Sequence, residues 1–318
     1  MAKQSAVATR ARLARAGSPR SLTVARRETI AGYLFILPWI VGFLALQLGP
    51  VLASAALSLT SWRGFGALRW RGMGNYVELL TADPLFLTSL RVTLVYVLIT
   101  VPLLIALALA VALLLNSPRL RAVSVYRLIF YLPSVVAGVA SALTWQWLFD
   151  TTYGAVNGLL GLVGIPPVPW LTDPGWALWT FVAIAQYGIG GNMIIFLAGL
   201  KGVPESLHEA AIIDGAGGWQ RFWHVTIPML TPTIFFTLVL TTIGSFQVFT
   251  TAYVVTQGGP LNATLFYVLL LYQRAFTDAQ MGLASAMAWL LFLVVLLLTL
   301  VQFLLARRWV YYEYETSR

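Results

Sequence analysis

Glu209-Ala-Ala-Ile-Ile-Asp-Gly-Ala216, running on to Ile227-Pro228-Met-Leu-Thr-Pro232, is a polar island between two long apolar blocks. The surrounding chain is 59% hydrophobic and only 10% charged, with a mean hydropathy of +0.82. A soluble domain usually carries about 25% charged residues, so the deficit marks an integral membrane protein. Such a protein has little reason to build a polar island unless something docks there. Pro204 suits the first turn of a helix, and Glu205 favours the positive end of its dipole. Ala210 and Ala211 are small enough for a partner surface to approach closely. Gly215 is free to take a positive φ and stop the helix. A second short segment, Trp219 to Val225, leads into Pro228. The expectation is two short helices around a glycine bend, lying along the membrane face. A plain amphipathic connector would give the same local signals.

A membrane-spanning helix needs about 20 mostly apolar residues. Six stretches qualify, at approximately 30–60, 86–115, 124–148, 176–199, 228–254 and 282–306. The expected fold is therefore all-α and polytopic, with six transmembrane helices. The first apolar stretch is longer than the roughly 7–15 residues of a signal-peptide core, so it reads as an uncleaved span. Residues 1–29 read as a basic cytoplasmic tail without fixed structure, close to anionic lipid. Six spans put both termini on one side. That side collects 15 of the 20 lysines and arginines, including the island's Lys201 and Arg221. The positive-inside rule makes it cytoplasmic, and it places the connector around Asn157 outside. Arg63, Arg69 and Arg71 run against the rule locally, which suggests an external docking role.

Several functions are excluded by what the sequence lacks. There is no cysteine, and His208 and His224 stand sixteen positions apart without other ligands, so no metal site is expected. The basic tail has no interleaved aromatic residue, which argues against nucleic acid. Every Asp and Glu falls in a tail, a connector or at a span end. No buried proton relay is available, which weakens an ion-coupled secondary transporter. The lysines Lys3 and Lys201 do not follow a phosphate-binding glycine turn, so nucleotide hydrolysis would need a separate chain. No catalytic constellation is found.

The spacing of Glu209, Ala210, Ala211, Asp214, Gly215, Ala216, Phe222, Ile227 and Pro228 resembles the "EAA" loop of binding-protein-dependent ABC importer permeases. Further matching pieces are Gly74-Asn75-Tyr76, Phe196-Leu-Ala-Gly-Leu200, Ser245-Phe-Gln-Val-Phe249 and Thr256-Gln-Gly-Gly-Pro260 with Thr264. From about residue 30 onward the chain is similar to the carbohydrate branch, of maltose, lactose and glycerol-phosphate type. Its ending resembles the first permease of a pair. The resemblance implies a type I ABC importer fold with a core over 86–306. It implies that the 201–227 loop docks on an ATPase carrying ATP and Mg. It also implies a second homologous permease, two ATP-binding subunits, an extracytoplasmic solute-binding protein and residence in the cytoplasmic membrane of a prokaryote.

Family substrate contacts come from core spans, so polar side chains there are candidates for the path: Gln186, Tyr187, Asn192, Ser245, Gln247, Thr250 and Tyr253. Amides and hydroxyls both donate and accept, as neutral polyols require. Gln247 and Thr250, three apart, would share a helix face. Interhelical hydrogen bonding is the competing role for all of them. A phosphorylated solute such as glycerol 3-phosphate would call for Arg or Lys in the path, and none lies mid-membrane. Arg91 and Arg274 lie near outer span ends, where they would meet an anion first.

Overall fold

The computed structural model describes residues 20–117 and 120–311. The first nineteen residues of the expected basic arm, Arg119, and the terminal stretch 312–318 lie outside them. The chain divides into two compact units, 1–57 and 58–318.

In the first unit, α1 (Arg20–Phe43) runs through a π-helical turn, Leu44–Leu48, into α2 (Gly49–Ser58). Residues 20–29, expected to be unstructured, are already helical. Phe35 and Trp39 are 86% and 68% exposed. A helix apolar on all sides and exposed on all sides belongs against lipid or another protein.

The second unit carries the core. Its helices are α3 (Gly74–Thr81), α4 (Pro84–Leu115), α5 (Val123–Tyr131), α6 (Gly138–Leu148), α7 (Ala155–Leu162), α8 (Pro174–Gln186), α9 (Gly190–Lys201), α10 (Glu205–Ile213), α11 (Gly218–Arg221), α12 (Ile227–Ser245), α13 (Thr250–Val255), α14 (Tyr267–Tyr272) and α15 (Met281–Ala306). Among the described residues, four helices are long and apolar enough to cross a membrane, or six if each of two bent pairs is one span. The pairs are α5/α6, bent by 99°, and α8/α9, bent by 47°. The expected spans over 124–148 and 176–199 are thus each bent at a break. Pro133 lies in the 3₁₀ turn Leu132–Val135 that separates the first pair. The second pair breaks at Tyr187-Gly188-Ile189 without a proline.

Helix α4 is the central pillar. Asp83 caps it, accepting from the Leu85 and Phe86 amides at 2.9 and 3.2 Å, with Pro84 in the first turn. Asp83 also receives Arg274 at 2.7 Å across 191 residues of sequence. Arg274 bonds Asp278 at 3.1 Å as well. The cation expected to greet an anion is therefore already committed to two carboxylates. On α4, Ser89, Thr93, Tyr96 and Thr100 form one buried polar stripe. The Thr93 hydroxyl accepts from the Tyr267 amide at 2.9 Å. The Tyr267 hydroxyl donates to the Met287 carbonyl at 2.7 Å. Phe266 meets Tyr96 edge-on at 5.0 Å. These contacts tie α4, α14 and α15 into one core.

The Arg63–Arg71 segment folds back on itself through an antiparallel bridge between Thr60 and Trp70. Asn75, fully buried, donates to the Ser58 and Thr60 carbonyls at 2.7 and 2.8 Å. Arg71 donates to the Asn75 amide oxygen at 2.9 Å and pairs with Glu78 at 2.7 Å. Asn157, expected on an open outer connector, is buried instead. It donates to the Thr151 and Val168 carbonyls and accepts from Val168 and Trp170. Tyr153 nearby is 80% exposed.

Gly190 opens α9 against the end of α5. A Cβ there would stand 2.2 Å from the Phe130 carbonyl oxygen, which is backbone and cannot swing away. Gly190→Ala is expected to destabilise the fold by about 1–3 kcal/mol, the usual range for overpacking. A thermal unfolding curve of the purified variant in detergent should show a lower midpoint than the parent.

Candidate functional site

Helix α10 begins after Pro204, which sits at its N-cap with φ −61° and ψ 130°, one position before the helix proper. Glu205 occupies the first turn, beside the positive end of the dipole. At the far end Gly215 has φ +82°. Its amide donates to the Ile212 carbonyl at 2.9 Å, and the Ala216 amide reaches back to Ala211 at 2.8 Å. That pair of bonds is a Schellman termination, which requires a left-handed residue at Gly215. Nothing lies within 4 Å of where a Gly215 Cβ would stand, so the constraint is backbone conformation and not space.

The second helix differs from the expectation. It does not lie as a separate piece along the membrane. Helix α11 passes through a π turn, Phe222–Thr226, straight into α12, and Pro228 sits in the first turn of α12. The Gln220 side chain accepts from the Gly217 amide at 2.8 Å to start this run. Glu209 and Asp214 are the two carboxylates of the motif on this segment. Both are exposed, and neither has an ion-pair partner among the described residues.

The island also exposes apolar residues that the sequence reading passed over. Ile213 is 86% exposed, Trp219 73%, and Ile212 and Trp223 about half. Trp219, Phe222 and Trp223 contact one another with ring centroids 5.2–5.8 Å apart. Small residues, a rigid glycine stop and exposed large apolar side chains on one polar connector make a knob suited to a cleft on another protein.

The second arrangement lies where the helices of the second unit are broken. Three interruptions of the helices come together: the α5/α6 bend, the α8/α9 break, and residues 246–249 between α12 and α13. Gly190 abuts Phe130 and Tyr131, and Gly138 lies 3.7 Å, measured from its would-be Cβ, from the Thr250 methyl. A cavity of about 310 Å³ opens there, lined by Gly188 and Val248 from two of the breaks. Tyr96, Thr100, Asn192, Thr241 and Ser245 supply its polar groups. The Asn192 amide donates to the Thr241 hydroxyl at 3.1 Å. Helices are broken in membranes only where protein or a cavity takes up the freed backbone groups.

Of the path candidates, the structure brings Asn192 and Ser245 to this cavity. Tyr187 caps α8 and meets Trp145 edge-on at 5.1 Å. Gln186 turns its amide back onto the Val182 carbonyl at 2.9 Å, a local helix contact. Gln247 lies in the break, outside any helix, so it shares no helix face with Thr250. Tyr253 lines a different cavity, farther along the chain. Tyr96, Thr100 and Thr241 were missed. The signal for the first two was present: Ser89, Thr93, Tyr96 and Thr100 recur at helical spacing on an otherwise apolar helix.

Residues 105–311 match the family described as the binding-protein-dependent transport system inner membrane component. The chain belongs to that family. The probable ABC transporter permease protein YesP of Bacillus subtilis (strain 168) is 46% identical over 292 residues, covering 91% of this chain and 94% of YesP. The lactose transport system permease protein LacF of Rhizobium radiobacter is 38% identical over 288 residues, 89% of this chain and 96% of LacF. The fold matches a crystal structure of a bacterial ABC transporter involved in import of the acidic polysaccharide alginate. That match has a TM-score of 0.79 at 23% identity, covering 91% of this chain and 99% of that one. The chain is thus an ABC transporter permease, a transport subunit of the inner membrane with the helical fold of such importers.

On the permease, Asp150 accepts from the Thr152 and Tyr153 amides, both at 2.8 Å, ahead of α7. These two bonds hold its carboxyl below the usual carboxylate range. A depressed folded-state value means the turn is stabilised above the ordinary carboxylate value, about 3.9, and loses that support as pH falls through the lower one. Hydrogen exchange at the Thr152 and Tyr153 amides should accelerate, relative to neighbouring turns, over that acidic window. Asp150→Asn should remove most of the pH dependence.

Proposed function

We propose that this permease imports a neutral sugar delivered by a solute-binding protein, driven by ATP hydrolysed on separate subunits. In this reading it pairs with a second, homologous permease and with two ATP-binding chains, which hold the ATP and Mg. Residues 201–227 and both termini lie in the cytoplasm. The observation that carries the proposal is one continuous helical run, from Gly218 to Ser245, that joins the Trp219 side of the knob to the cavity at the helix breaks. The knob offers a partner its exposed Ile213 and Trp219, and α12 ends at Ser245 in the cavity wall.

The neutral-sugar reading is supported by the cavity's chemistry. Its polar groups are hydroxyls and an amide, and among the described residues no Arg or Lys lines it. A phosphorylated polyol would need such a cation. Several relatives handle sugars by their names, LacF among them. Substrate would sit between Asn192, Thr241, Ser245, Tyr96 and Thr100. The apolar outer surface of α1 would face lipid or the second permease.

Coupling is tested at α10. Gly215→Val forces a β-branched residue into a left-handed conformation that costs ordinary residues roughly 1–2 kcal/mol. Ala211→Trp adds bulk to the docking helix. Both should leave membrane insertion intact and abolish the stimulation of ATP hydrolysis by loaded binding protein in the reconstituted complex. Full stimulation and normal uptake in both variants would leave the segment a passive connector.

Orientation is tested by labelling, since the chain has no cysteine background. A cysteine replacing the exposed Tyr153 should react with an impermeant thiol reagent on intact cells. One replacing Ser206 should react only after permeabilisation. Labelling of the Ser206 position from outside would overturn the assignment.

A further inference from the structure

A second cavity, of about 500 Å³, lies at the far end of the helical run that starts at α11. It is larger than the one at the helix breaks and is built differently. Tyr253, from α13, and Tyr272, closing α14, line it with ring centroids 5.4 Å apart and planes at 73°. Phe249 stacks on Tyr253 at 5.4 Å and touches Tyr272 at 5.0 Å, and Phe276 meets Tyr272 at 5.0 Å. Each lining ring thus has a further aromatic neighbour. Around them stand the side chains of Gln257, Gln273 and Thr277. Neither tyrosine hydroxyl nor these three side chains has a hydrogen-bond partner among the described residues.

Arg274 also lines the cavity, bridged to Asp83 and Asp278. Two carboxylates face one guanidinium, so the local balance repels an anion. Rigid aromatic faces match the apolar C–H face of a pyranose ring. Free amides and hydroxyls, able both to donate and to accept, match its hydroxyl edge. A lipid chain would leave those polar groups unpaired, and a sugar acid would meet the excess carboxylate.

We propose that this cavity is an outer subsite that holds a further neutral sugar unit, so that the permease selects for chain length. The proposal rests on the sugar-import reading above. Tyr253 and Tyr272 supply the stacking faces, and Gln257 and Gln273 the directional contacts. Leu85 and Tyr96, which line the two cavities, lie about 16 Å apart along α4 at 1.5 Å per residue, so a single sugar ring fills one cavity at a time and only a longer chain reaches from one toward the other.

The test is uptake by the full transporter, reconstituted with its binding protein and ATPase partners. The probes are neutral sugars of increasing length: glucose and galactose, then lactose, trehalose and maltose, then maltotriose. In the double variant Tyr253→Ala/Tyr272→Ala, kcat/KM for the longer sugars should fall roughly tenfold, the loss of about 1.4 kcal/mol of contact. Monosaccharide uptake should change less than twofold. Tyr253→Phe/Tyr272→Phe keeps the faces and should recover most of the loss. Gln273→Ala, which leaves the rings in place, should show the same length dependence even if the double alanine variant does not assemble. Equal losses at every length would mean a structural role and overturn the subsite, as would no loss in any variant. If Asn192→Ala impairs uptake of all sugars while the outer variants behave as wild type, the sugar reading stands and the outer subsite falls. A wild-type complex that takes up none of the probes would instead overturn the sugar reading beneath it.

Discussion

Inside a bilayer every backbone N–H and C=O must find its partner within the protein, and the rest of this structure follows from that demand. An unbroken helix meets it alone. Each interruption needs a neighbour. The permease places three interruptions side by side, so that segments next to one break pack against segments next to another. Gly190 against Phe130 is the tightest of these approaches. A cavity with hydroxyl and amide groups set among apolar side chains arises where they meet, its wall shared by Tyr96, Leu104, Asn192, Leu240 and Ser245. The site is a product of the breaks and not of any one side chain.

The existence of the helices was legible in the sequence because apolar runs of span length have few other uses. The glycine stop at Gly215 was legible for a related reason: only a left-handed residue there completes the bonds from Ala216 and Gly215. The breaks were harder to see. Tyr187-Gly188-Ile189 holds no proline, and its unwinding is set by tertiary contact between α9 and α5. Gln247 therefore looked like a helix-face residue and is not one. Arg274 looked free because its partner Asp83 is remote in sequence. The Ile213 and Trp219 exposures were invisible in a chain where apolar residues are the rule. What matters about them is where they are left uncovered.

The half of the unit far from α10 is organised by polar contacts of a different kind. Asp83 serves two tasks at once, capping α4 and holding Arg274. Asn75 closes the Thr60–Trp70 fold with two bonds to carbonyls. These ties fix the loops without placing a charge in the helical core. The tyrosines 253 and 272 keep their hydroxyls unspent beside them.

The π turn at Phe222–Thr226 lets α11 merge into α12 without a joint. From Gly218 to Ser245 the backbone is one helical rod of roughly 42 Å, at 1.5 Å per residue. Such a rod works as a lever. A tilt of about five degrees at its exposed end displaces the other by roughly 4 Å over that length. That is comparable to the width of the gap between packed side chains. The glycine at 215 sits just outside the rod and separates it from α10. Under the docking proposed for this segment, a push at the exposed Trp219 end of the rod would arrive at Ser245 as a swing, and small strokes at the surface would become an opening at the cavity.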